Sequence, residues 1–297
     1  MNAREWGFLL LTCMLGDPER RPLSVAQFRT LAERVAASER STEQRELEAR
    51  DLRALGYGRE MAERILHLLS DEDVLEHYLR RGQRSGCVPV SRVSEGYPSV
   101  LRKRLGLEAP GCMWVRGDMS LLERPAVALV GSRDIRQENL RFAREVGRQA
   151  AVQGYVLVSG NARGADRAAQ ESCLAAGGQV ICVVADELER HRLRENMLYV
   201  SEDGFDLPFT AQRALSRNRV IHCLGGCTFV AQCACGQGGT WDGTVKNLRF
   251  GWNSVFCFDD GSAAVNELRQ MGAELIKMDE INNIAELCAC DFGLFDQ

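Results

Sequence analysis

Short apolar runs punctuate the second half of the chain, and each stops abruptly in small residues. Val127-Ala128-Leu129-Val130 ends in Gly131-Ser132-Arg133, and Val156-Leu157-Val158 ends in Ser159-Gly160. Further runs occupy 180–184, 227–231, 254–258 and 274–276, with helical patterns filling most of the gaps. Runs without polar alternation, separated by helices, predict buried parallel strands covered by helices on both faces. The first 80 or so residues read differently. Ser24 is placed to cap a helix whose Val25, Phe28, Leu31 and Val35 share one face. Residues 39–51 are very polar and read as a solvated helix or linker. The segment Leu52 to Ala62 reads as helix, glycine turn and helix, a hairpin unit that serves as a packing module or touches a DNA backbone. Cys112 to Gly117 is strand-like within a Gly- and Pro-containing stretch. The expected organisation is a helical domain over 1–83, a connector packing on the sheet over 84–125, a sheet domain over 126–279 and a tail over 280–297.

Four strand-end or helix-start segments carry candidate chemistry. Gly131-Ser132-Arg133 follows the first parallel strand, and Ser159-Gly160-Asn161-Ala162-Arg163-Gly164-Ala165-Asp166 follows the second. Ligands of open α/β sheets sit at such strand ends, where backbone N–H groups and a helix dipole attract anions. Arg133 and Arg163 are therefore candidate phosphate contacts. Gly160 and Gly164 supply tight backbone, and Asp166, in a first helical turn, reads as an organiser of Arg163 rather than a base. Ser216-Arg217-Asn218-Arg219-Val220-Ile221 reads as either a phosphate contact or a helix start with solvated charges. The loop Gly236 to Thr244, including Gly239 and Thr240, reads as a phosphate cradle or a simple crossover.

Composition narrows these readings. At 297 residues, with 45% hydrophobic and 26% charged content, the chain suits a globular protein of two domains. Its formal net charge is -4, so a nucleic-acid site has to be a local patch. No apolar run reaches the ~18 residues of a membrane span. The start reads as a mature cytoplasmic helix, because no small-residue cleavage site precedes Asp17-Pro18. Twelve cysteines are many, but Cys223, Cys227, Cys233 and Cys235 lack paired zinc-knuckle spacing. They read as reduced core residues, with metal binding and redox chemistry as the alternatives. No dinucleotide fingerprint, Walker A segment, nucleophile elbow or histidine metal pair is present.

Together, Tyr97-Pro98 with Leu101, Trp114 to Asp118, Val130 to Arg133, Val158 to Asp166, Ser216 to Ile221 and Gly238-Gly239-Thr240 resemble the DNA-processing protein A (DprA/Smf) family over roughly residues 90–276. The resemblance implies an α/β protein with an extended Rossmann-like sheet, preceded by a small helical (SAM-like, helical-hairpin) domain. It also implies a cytoplasmic, cofactor-free, non-catalytic homodimer that binds single-stranded DNA and helps load the RecA recombinase in transformation and recombination. By matching positions, Gly131, Ser132, Arg133, Ser159, Gly160, Arg163, Arg217, Asn218, Arg219, Gly239 and Thr240 line the strand groove, with Gly164 and Asp166 organising it.

The sequence departs from the family pattern at Asn161, where leucine is usual, and at Ala185 to Glu189, which lacks a glycine-rich turn. It departs also around Gln232, where an acidic residue is usual, and in the late glycine loop. Two other functions fit a Rossmann-like crevice: a nucleotide sensor, and a phosphoribohydrolase of the lonely guy type. The second needs a glutamate soon after Thr240, where Trp241-Asp242 stand.

Overall fold

The computed structural model describes residues 1–38, 46–202 and 204–289. Part of the polar segment 39–51 and the end of the C-terminal tail, from Cys290 on, lie outside them. The described chain opens with α1 (Ala3–Thr12), α2 (Val25–Ala36), α3 (Ala49–Ala54), α4 (Arg59–Ser70) and α5 (Glu72–Arg84). Ser24 caps α2 by accepting from Gln27 N at 3.2 Å, and Gln27 returns a bond to the Ser24 backbone. The turn between α3 and α4 needs Gly56, whose φ is +83°. Leu11, Leu23, Leu31, Leu52, Ile65 and Leu68 form the core of this helical region. α1 faces two ways: Leu11 joins that core, while Leu9, Leu10 and Cys13 join the core of the sheet.

Next come β1 (Val88–Ser91), α6 (Ser99–Leu105) and β2 (Cys112–Gly117). The remainder alternates: β3 (Ala126–Val130), α7 (Gln137–Val152), β4 (Val156–Ser159), α8 (Ala165–Ala175), β5 (Gln179–Val184) and β6 (Met197–Glu202). It continues with α9 (Ala211–Ser216), α10 (Asn218–Leu224), β7 (Cys227–Val230), α11 (Gly238–Phe250), β8 (Ser254–Phe258), α12 (Ala263–Gln270), β9 (Glu274–Ile276) and α13 (Ile284–Ala289). All strands belong to one sheet, ordered β1-β2-β6-β5-β4-β3-β7-β8-β9. From β6 to β9 the pairs are parallel, whereas β1 and β2 pair antiparallel at one edge. The six apolar runs are strands to within one residue. β6 was not anticipated, because Tyr199, Ser201 and Glu202 dilute its apolar character although all are buried. β1, carrying Pro89, was missed for a similar reason, and its proline is tolerated because the strand lies at the edge.

The strands are buried on both faces. Val127 and Leu129 of β3 enter one core, with Phe142 and Val146 of α7 and Ala169 of α8. Ala128 and Val130 enter the other, with Val220 and Ile221 of α10 and Leu268 of α12. Gly147 lets α7 approach α8, since a β-carbon there would strike the Ala169 carbonyl. Trp114, Tyr78 and Phe205 pack ring on ring at centroid distances of 4.7–5.2 Å and fasten α5 to the antiparallel edge. β3 is the first parallel strand; the chain then builds outward through β4, β5 and β6 and returns to place β7 on the other side of β3. That reversal opens a crevice beyond the carboxyl ends of the central strands.

Candidate nucleic-acid interface

The turns after β3 and β4 meet in this crevice. Gly131 is required because a β-carbon there would collide with the Ala165 side chain. Gly164 has φ +84° and lies against the Ser132 and Arg133 carbonyls. Ala165 N then donates to Ser132 O at 3.2 Å, joining the two turns.

The first turn is not an open cradle of backbone donors. Ser132 N donates to Gln232 O at 2.9 Å, and Ser132 Oγ to the same oxygen at 3.2 Å. The Gln232 side chain accepts from Arg136 N at 2.9 Å and donates to Asp134 O at 3.3 Å. Gln232 thus occupies donors that the strand–turn pattern suggested would face an anion. Ser159 is likewise internal: it is fully buried and its hydroxyl accepts from Gln170 Nε2 at 2.6 Å.

Asp166 is buried at the start of α8 and accepts from Ala162 N at 3.3 Å. Burial pushes its carboxyl up to about 6, against the opposing pull of the Arg217 charge, the Ala162 N–H and Arg133. Its contact is with the backbone of the turn at Ala162, not with the Arg163 side chain.

The Arg217–Asn218–Arg219 triplet crosses the strand ends, but its arginines differ from the expected groove wall. Arg217 is only 9% exposed, donates to Val183 O at 2.9 Å and lies against Gly160. Asn218 Nδ2 donates to Gly239 O at 2.9 Å, tying α10 to the start of α11. Arg219 pairs with buried Glu202 at 2.9 Å and donates to Ser216 O at 2.8 Å. Both guanidiniums are engaged by protein. Gly239 and Thr240 are half-buried at the start of α11, with Thr240 O accepting from Thr244 Oγ1 at 2.7 Å.

Arg133 and Arg163 are the opposite case. Both are exposed, one on each turn, and neither has an ion-pair or hydrogen-bond partner among the described residues. Arg167, on the first turn of α8, is also exposed and unpaired among them; the sequence reading missed it because α8 carries no distinctive basic pattern. It missed Gln232 and Arg213 too. The Arg213 guanidinium reaches the Ala185, Leu207 and Pro208 carbonyls at 2.8–2.9 Å. Beside Arg213, Glu202, Ser216 and Arg217 line a cavity of about 120 Å³. Among the described residues no cluster of three or more His, Cys, Asp or Glu could hold a metal ion, and no helix is long and apolar enough to cross a membrane. Of the described cysteines, Cys235 is exposed and the others are buried.

The fold is that of an α/β protein with a Rossmann-like sheet, whose two central strand-end turns each carry an exposed arginine. Residues 89–287 match the family described as DNA recombination-mediator protein A, and the chain belongs to that family. It is 32% identical over 156 residues to Protein Smf of Escherichia coli, covering 49% of this chain and 41% of that protein. It is 35% identical over 82 residues to DNA processing protein DprA of Streptococcus pneumoniae, covering 28% of this chain and 29% of that one. The chain thus aligns with less than half the length of these curated relatives. The crystal structure of the S. pneumoniae protein superposes with a TM-score of 0.67 at 24% identity, over 87% of this chain and 92% of that chain. DNA processing protein A from Helicobacter pylori, whose structure concerns its single-stranded DNA binding mode, superposes with a TM-score of 0.56 at 22% identity, over 67% of this chain and 96% of that chain. At these identities the likeness establishes the shared fold.

Proposed function

We propose that this protein binds single-stranded DNA along the carboxyl edge of its sheet and, as a cytoplasmic homodimer, delivers the strand to RecA in transformation and recombination. The observation that carries the DNA-binding reading is the contrast among the arginines. Arg217 and Arg219 are engaged by the fold, whereas Arg133 and Arg163 stand exposed on adjoining turns, with no partner among the described residues. Two exposed guanidiniums can each pair with a phosphate without reading a base. A protein of net charge -4 gains little from its overall field, so these local charges supply the attraction. Family membership and the single-strand binding described for the H. pylori relative support the choice of ligand.

On this reading the protein binds and does not turn its ligand over. The test is competition against a labelled oligo-dT. Displacement by unlabelled oligo-dT, but not by an equal nucleotide concentration of duplex or mononucleotide, is expected. Displacement by a mononucleotide at low concentration would favour a nucleotide sensor. Strand exchange by RecA on DNA coated with single-strand binding protein, with and without this protein, tests the delivery step.

A further inference from the structure

Asn161 and Asp186 reach the same imidazole, His191, from opposite sides. Asn161 lies in the turn after β4, between Gly160 and Arg163. Its Nδ2 is 3.4 Å from His191 Nδ1, and His191 Nε2 is 2.8 Å from Asp186 Oδ1. The imidazole is stacked on Tyr199 of β6, with centroids 5.1 Å apart and planes at 21°. The His191 carbonyl is held by the Arg116 guanidinium from β2. Ring and backbone are therefore both fixed, and the His191 side chain is only 13% exposed.

The chemistry of the three groups sets their order. The Asp186 carboxylate can only accept, so His191 Nε2 carries a hydrogen. In the neutral imidazole Nδ1 is then a lone pair, and it can be satisfied only by a donor, the Asn161 amide nitrogen. That turns Asn161 Oδ1 away from the ring. When His191 is protonated, Nδ1 also carries a hydrogen and needs an acceptor. Asn161 satisfies it by turning its amide over, which directs Nδ2 away from the ring instead.

We propose that Asp186, His191 and Asn161 form a proton-linked positioning relay for the strand-binding turn. Protonation of His191 changes what Asn161 offers a DNA phosphate, from an accepting carbonyl oxygen to a donating amide. The inference rests on the single-stranded DNA reading above. The proton ends on His191 Nδ1 and comes from solvent, and no covalent bond forms. An accepting oxygen repels a phosphate, whereas a donor and an added positive charge attract it, so affinity rises as pH falls.

The other charged and titratable groups around the ring include Arg116, Tyr199, Arg194, Arg213 and the buried Cys182 thiol, which burial pushes up to about 12. Arg116 engages the His191 backbone. Tyr199 lies under the ring, with its hydroxyl held above its ordinary value first by burial and with Arg194 acting against the rise. Arg213 of α9 acts on Asp186, whose carboxyl is held below its usual range chiefly by the hydrogen bond from His191. Asp166, pushed up to about 6, also titrates in this window. It faces Arg217 and Arg133, so a His191 variant retains its contribution.

The test measures affinity for labelled oligo-dT at about pH 5.5 and at about pH 8.5. Wild type is expected to bind about fivefold tighter at the lower pH than the Asp166 contribution alone allows. His191→Gln removes that excess. Asn161→Leu, which keeps the imidazole but not the amide, removes most of it. Equal pH ratios in wild type and His191→Gln overturn the relay. Imidazole ¹⁵N NMR of the free protein provides a readout independent of DNA: neutral His191 is expected as the Nε2–H tautomer, with the Asn161 amide signals moving when the imidazole gains its second proton. The Nδ1–H tautomer overturns the relay even if DNA binds. Failure to bind DNA at either pH, with the expected tautomer present, rejects the single-strand reading and leaves the Asp186–His191–Asn161 geometry standing.

Discussion

The Arg217 guanidinium lies in the space that a β-carbon on Gly160 would fill. This contact explains why a glycine and an arginine far apart in sequence occupy neighbouring places beneath the crevice. The same guanidinium donates to Val183 O through Nη1, which holds it beneath the crevice. Gly160→Ala is therefore expected to displace the guanidinium and to destabilise the protein by about 2 kcal/mol, the usual scale of overpacking. Urea unfolding with an unchanged m-value checks this.

Arg219 is expected to behave as a structural residue. Its partner Glu202 is buried, and removing the guanidinium takes away a charge-assisted hydrogen bond to a buried carboxylate. Arg219→Ala should cost about 3 kcal/mol of stability. The DNA affinity of the folded protein should change less than about twofold, with an unaltered salt slope. Parallel denaturation and binding measurements separate the two effects.

Two buried groups give stability opposite pH dependences. His222 is fully buried, with Nδ1 3.1 Å from Asn247 Nδ2, and burial pushes its imidazole down to about 3. The unfolded chain takes up a proton near pH 6.5 while the fold resists it. The contribution of His222 is therefore complete above about pH 6.5 and is lost as pH falls toward 3, by on the order of 5 kcal/mol in full. Asp166 runs the other way. Its folded carboxyl titrates near 6, above the unfolded value, so acidification from 6 to about 4 favours the fold. Denaturation between about pH 7 and 4.5 should show a flatter profile for His222→Gln and a steeper acid loss for Asp166→Asn.

Gln232 offers a way to expose the turn donors. Gln232→Ala frees the Arg136 N–H and the Asp134 carbonyl from its side chain, but leaves the Ser132 bonds to the residue 232 carbonyl. The variant is expected to lose about 1 kcal/mol of stability. Sulfate should protect it more than wild type in thermal melts, because a newly open N–H can donate to an anion.

Much of the fold was legible because its strands are apolar on both faces. Val127 and Ala128 point into different cores, and both have to be hydrophobic. β6 was hidden by the polar side chains that it buries. At the site, exposed Arg133 and Arg163 announced themselves through their position at strand ends. The inward course of Arg217 and Arg219 was invisible because their partners, Val183 and Glu202, lie on distant elements. The plugging of the first turn by Gln232 depends on the return of the chain to β7, which local pattern does not encode. The Asn161–His191–Asp186 contact surfaced in the sequence only as two separate departures from a family pattern.

The central claim is that Arg133 and Arg163 hold a DNA strand at the joined turns. The most direct measurement is fluorescence anisotropy of a labelled oligo-dT across a range of salt concentrations, with wild type, Arg133→Ala and Arg163→Ala. Each substitution is expected to weaken binding and to lower the salt slope by about one ion while leaving stability unchanged. Folded variants that bind with wild-type affinity and slope would contradict the claim and move the strand elsewhere on the protein.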